Sequence, residues 1–190
     1  MTVPAVPVHR RALLRACLAL APWPATLAWA NTGVPTEVVA ELPGGRWSGA
    51  ARMRYFGFEL YDTRLWVGEG FRAQTYPQSP FALELGYLRG FSGPAIAERS
   101  LQEMRRIGAV SAEQERRWLA AMQEVFPDIK AGDRLLGLHT PGRGARFWHN
   151  GRSRPEIRDP EFSRLFFGIW LAESSSEPRV RSGLLAGAVP

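Results

Sequence analysis

Cysteine is nearly missing from this 190-residue chain: Cys17 is the only one. No intrachain disulfide can form, so the fold rests on its core alone. Cys17 also falls inside a segment that reads as a cleavable leader. Zinc–thiolate sites, iron–sulfur clusters and cysteine nucleophiles are thereby excluded from the mature chain. Lysine is as scarce, with Lys130 alone, and arginine carries nearly all the positive charge. Arginine suits bidentate contact with anions. Only His139 and His149 remain beyond the leader; without a third ligand at workable spacing they make no metal site, and two exposed hairpin histidines are the expectation. No G-x-S-x-G, P-loop or G-x-G-x-x-G pattern occurs, and no internal repeat. Pro141-Gly142-Arg143-Gly144 does not lead into a helix, so it reads as a turn and not a phosphate cradle.

Residues 1–30 read as an export signal. His9-Arg10-Arg11 gives a positive start, Ala12 to Ala21 an apolar run, and Ala28-Trp29-Ala30 a small-residue cleavage site. RRALLRA resembles a twin-arginine signal, with the general secretory route as the alternative. Pro22 and Pro24 interrupt the run before the ~20 apolar residues that a membrane span needs. The expected compartment is periplasmic or extracellular, with no membrane span once the leader is removed.

Taking Arg10, Arg11 and Arg15 from the 24 basic residues leaves 21 against 18 acidic. So small an excess, scattered along the chain, points away from nucleic acid. Residues 31–190 are long enough for one domain with a real core, and no linker divides them.

Val38 and Val39 suggest a first edge strand. Residues 49–67, GAARMRYFGFELYDTRLWV, suggest a long central strand with a bulge or bend at Gly57. Residues 69–80 read as a loop, and Phe81, Leu83, Leu85 and Tyr87 alternate as a half-buried strand. Ser92-Gly93-Pro94 opens a helix that Gly108 ends. Ser111 with Gln114 forms a capping box for a second, whose apolar face holds Trp118, Leu119, Met122, Val125 and Phe126. Residues 135–138 and 146–149 pair as a hairpin, and Asn150-Gly151 marks a tight turn. Asp159-Pro160 caps a third helix, and Pro178 starts a short last one. Trp118 and Trp170 fall at core spacing on helix faces. The element order gives an α+β domain with helices on one sheet face.

Within 49–67, Met53 and Tyr55 share one strand face and Arg52 and Arg54 the other. A guanidinium held beside an apolar pocket can stabilise a carboxylate or phenolate. The alternative is an arginine paired with a neighbouring acid.

Four blocks together resemble the chalcone isomerase-like family: Gly49-Ala-Ala-Arg52 running into Tyr61-Asp-Thr-Arg-Leu-Trp66; Tyr87-Leu-Arg-Gly-Phe-Ser-Gly-Pro94; the helix exit from Phe126-Pro127 to Gly132-Asp133; and Phe167-Gly-Ile-Trp-Leu-Ala-Glu173 with Leu184-Leu185. The resemblance implies an open-faced sandwich, a large antiparallel sheet covered on one face by helices, with a ligand cleft between. It aligns the family's strand arginine with Arg52, with Arg54 as the alternative, and a water-ordering threonine with Tyr61. A later helical threonine falls near Ile169, and the helical tyrosine and asparagine have no counterparts. An isoleucine cannot hydrogen-bond a hydroxyl or a water, so flavanone synthesis is not expected.

The resulting expectation is an exported, non-catalytic protein without cofactor or metal, binding a small amphipathic or anionic molecule through Arg52, Tyr61 and Arg54. Non-catalytic relatives resemble fatty-acid binders. The alternatives are an isomerase or lyase on a phenolic or enone substrate, with Arg52 as electrophile and Tyr61 as acid, and a structural or interaction module of the envelope. No protein partner is indicated.

Overall fold

A computed structural model describes residues 33–188; the leader expected over residues 1–30 lies outside them. A six-stranded antiparallel sheet runs in sequence order, β1 to β6. Its strands are β1 (Arg46–Tyr55), β2 (Phe58–Val67), β3 (Phe81–Tyr87), β4 (Arg134–Thr140), β5 (Gly144–His149) and β6 (Arg152–Ser153). Five α-helices accompany it: α1 (Thr36–Glu41), α2 (Gly93–Ile107), α3 (Ala112–Val125), α4 (Pro160–Leu171) and α5 (Pro178–Leu184).

The expected α+β sandwich is the one observed. Helices α2 to α5 cover one sheet face and share a core with it. Leu83, Phe81 and Phe147 rise from the strands to meet Met104, Trp118 and Phe167 from the helices. Each such side chain, taken from water, contributes about 1.5–3 kcal/mol. The local signals act where the residues place them. Ser111 accepts a hydrogen bond from the Gln114 backbone, and the Gln114 side chain accepts one from the Ser111 backbone. Asp159 Oδ1 accepts from the backbone of Glu161 and Phe162, while its Oδ2 accepts from Trp118 Nε1 at 2.8 Å, which ties α4 to α3.

Three expectations are corrected. Residues 49–67 are not one central strand but a hairpin, and β1 is an edge strand. Phe56 and Gly57 both take positive φ, +46° and +81°, which a two-residue type I′ turn requires. Asn150-Gly151 does the same between β5 and β6. An apolar residue before a glycine disguised the first turn. Val38 and Val39 belong to helix α1, because Val38 and Leu42, four apart, bury together against Trp66, Leu136 and Trp148 on the opposite sheet face. The loop at 69–80 contains a 3-10 helix, Ala73–Gln78.

That opposite face also carries ion pairs. Glu84 is fully buried and holds Arg64 on one side and Arg134 on the other, the latter at 2.9 Å. Arg134 reaches on to Glu37 in α1 at 2.6 Å, and Arg146 pairs with Glu41 at 2.6 Å.

Candidate functional site

Alternation decides which β1 side chains can reach the helix-covered face. Met53 pairs across with Tyr61, and both point under the helices; Arg52 pairs across with Asp62, one step away and on the other face. The register shifts between Met53 and Arg54, so that Leu60 is an extra residue on β2. This irregularity lets Leu60 and Tyr61 face the same space.

The space is a cavity of about 300 Å³ between sheet and helices. Leu83, Leu135, Phe147, Phe166 and Phe167 close its inner end, all almost inaccessible to solvent. Its outer end is rimmed by Tyr55, Arg99, Ser176 and Glu177. Between them stand Tyr61, Tyr87 and Trp170. Trp170 Nε1 donates to the Tyr61 hydroxyl at 3.3 Å, and the two tyrosine rings meet edge to face at 5.7 Å. Tyr87 lines the cavity and its hydroxyl has no hydrogen-bond partner in the described residues. Burial pushes the Tyr61 phenol up to about 12 and the Tyr87 phenol higher still. Both therefore stay protonated at neutral pH and can donate a hydrogen bond into the cavity.

The rim is a small charged cluster on α2 and the start of α5. Arg99 pairs with Glu103 at 2.7 Å, and Ser176 donates to the same carboxylate at 2.8 Å. Glu103 is buried while half of the Arg99 side chain is exposed. Glu177 is pushed up in pKa, first by its own burial and then by Glu103 nearby.

Of the three residues expected at the site, Tyr61 alone lines the cavity. Arg52 is corrected: its Nε and Nη2 donate to the two oxygens of Asp62 at 2.6 and 2.9 Å, and its Nη1 to Glu59 at 2.8 Å. Those hydrogen bonds, Asp62 first, raise its pKa further. Arg54 is corrected likewise, held at 2.7 Å by Glu59 and largely exposed. Neither lines the cavity. The guanidinium at the cavity is Arg99, which reads in sequence as the outer face of an amphipathic helix. Its ring contact, 5.7 Å over Tyr55, links helix to hairpin and has no signature in the chain. Ile169, where the family resemblance leads to a threonine, does line the cavity.

The histidines do not face each other. His139 opposes Ala145 and His149 opposes Leu135. His139 is buried, contrary to expectation, between Ser163 Oγ at 2.7 Å and the Pro77 carbonyl at 2.9 Å. Burial lowers its pKa. No group of three or more metal-ligating side chains occurs among the described residues.

Residues 49–186 match the family model described as chalcone isomerase-like. A protein of Haemophilus influenzae with no characterised function is 28% identical over 147 residues, covering 75% of this chain and 70% of that one. Among solved structures, an Arabidopsis thaliana fatty-acid binding protein superposes with a TM-score of 0.59 at 10% identity, over 75% of this chain and 87% of that one. At that identity the likeness shows the fold.

Proposed function

Given that the chain belongs to the chalcone isomerase-like family, we propose that it binds a small amphipathic molecule of the fatty-acid kind in the sheet–helix cavity, without chemical turnover. One observation carries this: the inner end of the cavity is lined by apolar side chains, and its charged groups stand at the outer end. That arrangement fits a tail and a head group. Each methylene buried there contributes about 0.8 kcal/mol. The match to a fatty-acid binding protein of the same fold supports the reading.

The head group meets Arg99, with the protonated hydroxyls of Tyr61 and Tyr87 further in. Cyclisation of a phenolic substrate fits less well. The arginine aligned with the family's strand arginine lies on the other sheet face, and burial moves the Tyr61 phenol up to about 12, away from the neutral range that suits acid–base catalysis.

Native mass spectrometry of protein purified from its own cells tests the reading. A retained acyl compound, displaced by added fatty acid, is the expected result. An empty protein that ignores fatty acids of every chain length overturns it. The proposal includes export, supported by Arg10-Arg11 and the apolar run after it. Cell fractionation tests that part, and retention in the cytoplasm overturns it.

A further inference from the structure

The tip of the β1–β2 hairpin exposes three aromatic side chains. Phe56 is 85% exposed, Phe58 58% and Tyr55 45%. Phe56 also holds φ at +46°, in the left-handed region. A side chain there costs on the order of 1 kcal/mol, which asparagine or glycine would reduce. Little packing offsets that cost: Phe56 is almost wholly exposed, and its ring meets the neighbouring Tyr55 ring edge to face at 4.5 Å.

Around the aromatics stand arginines. Arg89, itself exposed, lies 4.6 Å over the Phe58 ring. Arg99 lies over Tyr55, and Arg54 extends from the same hairpin. Glu59 is the acid of the tip, and Arg52 and Arg54 already hold it. Tyr55 belongs both to this tip and to the rim of the cavity. An aromatic point flanked by Arg54 and Arg89, with Glu59 beside it and Glu103 and Glu177 on the cavity rim, therefore adjoins the opening through which an apolar ligand would pass.

We propose that the hairpin tip docks on an anionic lipid surface, Phe56 and Phe58 entering the acyl boundary while Arg54 and Arg89 meet the head groups, so that ligand passes between bilayer and cavity without crossing water. The proposal rests on the binding role of the cavity. Burying apolar rings at a bilayer interface drives such docking, and long arginine side chains reach up to lipid phosphates.

The test presents the full chain to vesicles of phosphatidylethanolamine and phosphatidylglycerol that carry a photoreactive acyl chain. Labelled positions are then read by mass spectrometry of the tryptic peptide spanning residues 55–64. Label at Phe56 and Phe58 is expected, falling about tenfold in Phe56→Asn. That variant has the residue the turn prefers, so it folds at least as well, and its affinity for a soluble fluorescent acyl ligand stays at the parental value. Absence of label at both positions, or equal label in the variant, overturns the docking. So does a dimer on gel filtration that Phe56→Asn abolishes, which assigns the tip to a second copy of the chain. If neither protein binds the soluble acyl ligand, the role of the cavity fails, and that result is separate from the vesicle measurement.

Discussion

Arg52 gives both oxygens of Asp62 a hydrogen bond on the sheet face away from the cavity. Arg52→Gln should therefore leave acyl-ligand affinity within about twofold and cost about 1 kcal/mol of stability, read from urea unfolding. Arg99→Gln should do the reverse. It should weaken binding of a carboxylate ligand about fivefold while leaving the matching alcohol unchanged, measured by fluorescence competition. His139 gives a second test at single-residue level. Its folded pKa lies below the value near 6.5 of an exposed histidine, so the unfolded chain takes up the proton first. The stabilisation from the neutral ring is complete above pH 6.5 and is lost as pH falls through the folded pKa. The urea midpoint should drop between pH 7 and pH 5, and less so in His139→Gln.

Strands and helices here meet at positions where a side chain would not fit. A Cβ on Gly49 of β1 would strike the Gly183 carbonyl of α5, and one on Gly183 would come within 2.8 Å of the Ala50 carbonyl. Ser48 Oγ donates to the Leu184 carbonyl at 2.8 Å in the same seam. Gly49→Ala should therefore push α5 off the edge strand and cost about 2–3 kcal/mol, seen as a lowered urea midpoint. The other face depends on Glu84, which joins β2 and β4 by two arginines. Removing that carboxylate takes away an acid that both arginines contact across the sheet.

The helices and sheet enclose the cavity together, so occupancy and stability are coupled. A ligand that binds only the folded state should raise stability by about 2.7 kcal/mol at one hundred times its Kd, an upward shift visible by calorimetry. Filling the cavity should remove that shift. Leu85→Trp places a larger ring in the lining, and its melting temperature should no longer respond to ligand.

Helix caps, the Asn150-Gly151 turn and the strand of Phe81 to Tyr87 were legible in the chain, because each depends on residues a few positions apart. The family resemblance gave the sandwich, because blocks in order constrain topology. The first hairpin was not legible, since Phe56 is a residue such turns seldom use. Nor was Arg99, whose position beside Tyr55 and Glu177 depends on how α2 lies over the sheet.

Short-range chemistry thus set the elements, and period-two alternation had already put Met53 and Arg52 on opposite faces. Which of those faces the helices would cover could not follow from alternation, because both carry enough apolar surface to bury. The packing of α2 to α5 over Met53 and Tyr61 made that choice. It left Arg52 to its acids, brought Arg99 to the rim, and left a cavity of about 300 Å³ between sheet and helices.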